Sequence, residues 1–226
     1  MPLSPEEARV LGCLLEKERT TPDAYPLSLN ALVNACNQST NRNPVVQYRE
    51  ETVESALDQL RERSFVRRGV YPGSRVIKYR HVLDEALKAD PAELALLGVL
   101  LLRGPQTVGE LKARTERLYG FRDLVEVNDG LDRLAGRDEP LVRRLLREPG
   151  QKEARVGELL TDAAAHVTAE VPDDAPVEWK PDPVPAADQA PEAPVSTGIE
   201  ARIAALEAEV AALRQELAAL HDSLGG

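Results

Sequence analysis

The chain writes one helix start twice. Ser4–Leu15 reads SPEEARVLGCLL and Asp90–Leu101 reads DPAELALLGVLL, at a constant shift of 86 residues. Each copy opens with a capping box, Ser4/Glu7 and Asp90/Glu93, and places proline, Pro5 and Pro91, at the first helical position. Each is followed by two more helical patterns and a basic stretch with Pro-Gly at its centre. A repeat this long is not a solenoid unit, so the pattern predicts two related small domains.

Three helices followed by a two-stranded hairpin is the winged-helix order. The sequence therefore predicts a mainly α fold with small β-hairpins, arranged as tandem winged-helix domains over residues 1–83 and 84–160. In the first copy, Ala8, Leu11, Leu14 and Leu15 form the apolar stripe of a helix from Ser4 to Glu18. A second helix begins near Ser28 and buries Leu29, Leu32, Val33 and Cys36. A third, Glu51–Arg63, buries Val53, Ala56, Leu57 and Leu60. Phe65–Val70 and Arg75–Arg80 then read as strands joined by a type II turn at Tyr71-Pro72-Gly73-Ser74. The second copy repeats the order. Leu94, Leu97, Leu100 and Leu101 line its first helix. Thr107/Glu110 and Asp123/Glu126 cap the next two, the last with Leu124, Val127, Leu131 and Leu134 inward. Gly130 weakens that last helix by about 1 kcal/mol relative to alanine. Leu141–Arg147 and Lys152–Glu158 form the second hairpin around Glu148-Pro149-Gly150-Gln151.

After residue 160 the composition changes. Residues 161–198 hold seven of the 17 prolines and eight acids, so they predict a disordered Pro/Ala/acidic linker, with Trp179 inside it. Residues 199–226 carry a heptad seam: Ile199, Ile203, Leu206, Val210, Leu213, Leu217, Leu220 and Leu224 alternate spacings of four and three. This predicts a C-terminal coiled-coil helix and a homodimer formed through it.

The net charge of −10 sits mostly in that tail. Residues 1–83 hold 12 Lys/Arg and 10 Asp/Glu, and residues 84–160 hold 13 and 15. The overall acidity therefore does not exclude nucleic acid as a partner. Cys13 and Cys36 lie on apolar helical faces and read as buried reduced thiols. No leader pattern opens the sequence and no apolar run is long enough to span a bilayer, so a cytoplasmic protein without a membrane partner is expected. His81, His166 and His221 lie in separate segments with no metal-ligand spacing. No phosphate loop, nucleophile elbow or metalloprotease motif is present. The reading is of a protein that is not an enzyme and needs no cofactor or metal.

Two surface features point to binding. The third helices are acidic: residues 50–63 hold Glu50, Glu51, Glu54, Asp58 and Glu62, and residues 123–137 hold Asp123, Glu126, Asp129 and Asp132. Such clusters repel phosphate. The hairpins, or wings, are basic instead, with Arg67, Arg68, Arg75, Lys78 and Arg80 in the first and Arg143, Arg144, Arg147 and Lys152 in the second. If DNA is bound, these are the expected contacts; the competing reading is that they cover a solvent face and pair with acidic helices. The second feature is the polar connection Asn37–Tyr48, in which Asn37, Gln38, Thr40, Asn41 and Arg42 form a candidate recognition loop.

Leu11–Val45 (LGCLLEKERTTPDAYPLSLNALVNACNQSTNRNPV), Leu100–Thr115 (LLLRGPQTVGELKART) and Leu145–Arg155 (LLREPGQKEAR) resemble the YceH-like family of uncharacterised bacterial proteins. The resemblance covers nearly all of residues 1–160. It implies tandem winged helices in a bacterial cytoplasmic protein and assigns no activity or site. Two functions follow as expectations: a DNA-associated regulator that touches double-stranded DNA through its wings, or an adaptor whose winged helices bind a protein partner.

Overall fold

The computed structural model describes residues 2–71, 75–147 and 153–161. Both hairpin tips, Lys152, Trp179, the Pro/Ala/acidic linker and the heptad seam from Ile199 to Leu224 lie outside the described residues. The described part is mostly helical with two small antiparallel sheets. Among those residues no helix is long and apolar enough to cross a membrane.

The first copy runs α1 (Pro5–Thr20), a 3-10 turn (Pro22–Ala24), β1 (Leu27–Ser28), α2 (Leu29–Cys36), α3 (Glu50–Glu62), β2 (Val66–Gly69) and β3 (Lys78–His81). A short helix, α4 (Leu83–Leu87), leads into the second copy. That copy runs α5 (Pro91–Arg103), α6 (Val108–Thr115), α7 (Leu124–Ala135), β4 (Val142–Arg144) and β5 (Val156–Glu158).

Local chemistry explains where the helices start. Ser4 Oγ accepts from the Glu7 amide and Glu7 accepts from the Ser4 amide, and Asp90/Glu93 and Thr107/Glu110 repeat the reciprocal box. α7 departs from this. Asp123 accepts from the Glu126 amide at 2.9 Å, but the Glu126 carboxylate reaches past it to the Arg122 amide at 2.8 Å.

The strand content exceeds the sequence expectation in copy 1. β1 pairs with β3 (Leu27 opposite Tyr79), so the sheet has the order β1-β3-β2. Copy 2 keeps only a stub of the third strand. Gln106 exchanges both backbone hydrogen bonds with Val156, at 3.0 and 2.7 Å. Gln106–Thr107 precede α6 just as Leu27–Ser28 precede α2.

Both copies fall within one compact unit, and α1 packed on α5 joins them. The sequence stripe assigned one apolar face to α1. In the structure every residue from Glu7 to Glu16 is buried, because α5 covers the remaining face. α5 is buried from Ala92 to Leu102. The close approach depends on one glycine in each copy. A Cβ on Gly12 would lie 2.8 Å from Leu102 Cγ and 3.2 Å from Leu101 Cβ, and a Cβ on Gly98 would lie 3.3 Å from Leu15 Cβ. Gly12 and Gly98 occupy equivalent positions of the repeat, as do Leu15 and Leu101. The crossing is therefore reciprocal, like the self-complementary interface of a two-fold dimer. Gly130, read from sequence only as a weak point of α7, also has a packing reason: its Cβ would meet Leu96 Cδ1 at 2.9 Å.

Each copy ties its capping glutamate to the end of its third helix. Glu7 is 1% exposed and accepts from Arg63 Nε at 3.0 Å; Glu93 is 4% exposed and accepts from Arg137 Nη2 at 2.7 Å. A capping residue thus also anchors the three-helix core. Cys13 and Cys36 are buried and free. The neighbouring Cys13 thiol and burial push the Cys36 thiol well above its ordinary value.

Candidate nucleic-acid interface

The hairpins separate their cations into two groups. Arg67 donates twice to the Glu85 carboxylate, at 3.1 and 2.7 Å, and Arg80 lies 3.7 Å from the same group. Arg144 donates to Asn128 Oδ1 on α7 at 2.7 Å. Lys78 is half-buried in β3. Arg67, Arg80 and Arg144 are tied to the body of the protein. Arg68, Arg75, Arg143 and Arg147 are exposed, and no ion pair holds them among the described residues. The acid that engages the first hairpin comes from α4, just beyond it, and not from α3. The only sequence signal for this was the Asp84-Glu85 pair that follows β3.

Apolar side chains accompany the exposed arginines. Val70, Val76 and Ile77 are 67%, 56% and 47% exposed beside Arg68 and Arg75, and Leu146 is 55% exposed beside Arg147. The alternation that buries Val66 and Tyr79 does not continue to the ends of the strands. The acidic side chains Glu50, Glu51, Glu54, Asp58 and Glu62 of α3 are exposed.

The polar loop is built differently from the sequence expectation, which took Arg42 as a cation offered to a ligand. Its side chain is fully buried. Arg42 Nη2 donates to Glu16 Oε2 at 2.7 Å and Nη1 to Glu16 Oε1 at 3.1 Å. The same guanidinium also reaches the carbonyls of Ala35 and Asn41 and the amide oxygen of Gln38. Burial pushes the Glu16 carboxyl up, but the Arg42 hydrogen bonds and charge, helped by Lys17, more than offset this and hold it below the ordinary glutamate range. A planar fork whose donors are all engaged fixes the loop on α1 and α2.

The rest of the loop is also occupied. Asn37 closes the loop base by donating to Tyr48 O at 2.9 Å and accepting from Tyr48 N at 2.7 Å. Arg9 spans the gap beneath, donating to Cys36 O at 3.1 Å and Pro44 O at 2.6 Å. Asn41 accepts from Arg103, and Asn43 N donates to Leu102 O at 2.9 Å, so the loop of copy 1 docks on the end of α5. Of the loop residues singled out from sequence, only Thr40 is exposed without such a tie among the described residues. Burial separates the two readings of a polar loop here, and sequence alone does not carry it. Among the described residues no group of three His, Cys, Asp or Glu side chains could hold a metal.

Known proteins match this chain in sequence. The family described as "Protein of unknown function, DUF480" matches residues 3–151. A UPF0502 protein of Pelobacter propionicus is 56% identical over 160 residues, covering 71% of this chain and 73% of its own length. A UPF0502 protein of Geobacter sulfurreducens is 52% identical over 158 residues, covering 70% and 72%. One from Shewanella sp. strain W3-18-1 is 48% identical over 171 residues, covering 74% and 77%. The family match at residues 3–151 takes in most of both copies of the repeat, and the YceH-like resemblance is the same grouping under another name. The chain belongs to the DUF480/UPF0502 family of bacterial proteins.

Proposed function

We propose that each copy is a winged helix and that the protein is a DNA-associated, non-catalytic regulator that holds duplex DNA through its wings. The order α1-β1-α2-α3-β2-β3 with sheet order β1-β3-β2 supports the fold assignment. The observation that carries the function is the composition of the hairpins, where exposed arginines stand beside exposed valine, isoleucine and leucine in both copies. Arginine supplies phosphate and minor-groove contacts, and an apolar neighbour supplies a wedge against base steps. The exposed carboxylates of α3 argue against insertion of that helix into the major groove. The heptad seam Ile199–Leu224 supports a homodimer, which doubles the number of wings on the DNA.

Replacing Arg68, Arg75, Arg143 and Arg147 together with alanine tests this reading. Duplex binding weakens for all sequences alike, and the salt dependence flattens by about 0.9 in slope per phosphate contact removed. Gel shifts across a salt series measure it. Unchanged binding in the quadruple variant removes the wings as the contact.

A second reading is favoured by α7, where Leu124, expected inward from the sequence, is instead 47% exposed at the first turn, and Val125 is 61% exposed, beside Asp129 and Asp132. An apolar patch rimmed by acid suits a protein surface better than DNA. Wild-type protein that ignores duplex DNA at low salt, yet loses a protein partner when Leu124 and Val125 become serine, decides for an adaptor.

A further inference from the structure

The junction between the polar loop and the α5–α6 corner holds an excess of positive charge. A cleft of about 290 Å³ there is lined by Asn41 and Asn43 from the loop, Arg103 at the end of α5, Glu110 and Arg114 on α6, and Arg155 before β5. Glu110 is shared, accepting from Arg155 at 2.8 Å and from Arg114 at 3.3 Å. Arg42 also borders the cleft, but Glu16 already neutralises it. Arg103 has no carboxylate within ion-pair distance among the described residues; its contact is the Asn41 side-chain oxygen. Burial and the Arg114 charge pull its pKa below the ordinary arginine value. Guanidinium groups crowded in this way in a recess lack an anion.

A second cavity, of about 210 Å³, shares Asn41, Arg103 and Arg114 with the first. Its other walls include Val99, Leu102, Ala113 and Leu118. Glu16, Glu116 and Arg117 also line it, so the two together offer a cationic end and a mixed end that carries an apolar strip, divided by the same three side chains.

We propose that this double cleft binds a small organic phosphomonoester, its phosphate held by Arg103, Arg114 and Arg155 and its organic part lying against Leu102 and Leu118. Arginine forks match the geometry of phosphate oxygens, and a dianion balances the charge that Glu110 alone leaves over. The loop asparagines supply neutral donors at the rim. The site is assembled from both copies, so occupation ties the first copy's loop to the second copy's α6. It is separate from the wing contacts proposed above and stands or falls independently of them.

The full-length protein is titrated with adenosine monophosphate, inorganic phosphate and adenosine at fixed ionic strength, and thermal midpoint and calorimetric heat are recorded. Adenosine monophosphate raises the midpoint in a saturable way, inorganic phosphate does so more weakly, and adenosine alone does nothing. Arg103→Gln, and separately Arg114→Gln, bind roughly 10- to 100-fold more weakly while their ligand-free midpoints show that they remain folded. No saturable response in wild type, or an equal response in both variants, overturns the proposal. Duplex DNA is the other source of phosphate. Loss of DNA binding in Arg103→Gln without any response of wild type to the monophosphate also overturns the small-ligand assignment.

Discussion

Replacing Arg42 with alanine costs about 3–5 kcal/mol of folding stability, the usual consequence of leaving one partner of a buried ion pair behind. The side chain is fully buried and the Glu16 side chain is 10% exposed, so water does not take over the lost contacts. The carbonyls of Ala35 and Asn41 lose donors in the same step. Against a typical total of roughly 5–15 kcal/mol, this is a large fraction. Urea titration measures it as a fall in midpoint at unchanged slope. A loss of less than about 1 kcal/mol would show that the pair is solvated and that the loop is free to act as a recognition element after all. The double variant Glu16→Leu/Arg42→Met recovers most of the loss, because neither charge is then stranded.

The pair also has a pH signature. Arg42 holds the Glu16 carboxyl below its ordinary value of 4.5. A carboxylate depressed in the folded state contributes stability that is present above the unfolded value and is lost as pH falls through the folded one. The gap between wild type and Arg42→Ala is therefore widest at neutral pH and shrinks below about pH 4.5.

Valine at Gly12 is the second large effect. The Cβ alone falls 2.8 Å from Leu102 Cγ, and the branch adds two methyl groups at the tightest point of the α1–α5 crossing. Leu101 Cβ, at 3.2 Å, belongs to the rigid part of its side chain, so relief requires the helices to separate. Overpacking of this kind costs about 1–3 kcal/mol and more where the backbone must move. Alanine at the same position loses less, since it regains about 1 kcal/mol of helix propensity. Gly98→Val, with its nearest neighbour at 3.3 Å, falls between the two. Thermal unfolding of the three variants gives the order. A Gly12→Val protein as stable as wild type would mean that the crossing is loose.

The helices were legible because their signals are local. Capping boxes at Ser4, Asp90 and Thr107 and the spacing of Val53, Ala56, Leu57 and Leu60 mark starts and buried faces within a few residues. β1 escaped because two residues, Leu27 and Ser28, carry no periodicity and are a strand only through pairing with β3. The second buried face of α1 escaped for a similar reason: its partner is α5, far along the chain. The apolar run Leu94–Leu102 did carry a trace of this, since a helix apolar on all sides must be covered on all sides. At the candidate sites, the residue types were readable and their fates were not. Arg42 and Arg68 look alike in sequence; one is buried on Glu16 and the other is exposed on a hairpin. The Arg103 cleft draws on segments from both copies, which no local window contains.

The reciprocal glycine crossing has a consequence for synthesis. α1 leaves the ribosome some 86 residues ahead of α5, and the surface around Gly12 has no cover until α5 emerges. At roughly 5–20 residues per second, that interval lasts several seconds. The nascent first copy spends it with a bare apolar helix face whose natural complement is an equivalent face. Two neighbouring nascent chains on one message can satisfy each other in the same way. Joining the copies in a single chain raises the local concentration of the correct partner above that of any stranger. Pulse-labelled chains stopped before residue 90 are therefore expected to associate with one another, and chains stopped at residue 160, which hold both copies and lack the heptad seam, are not.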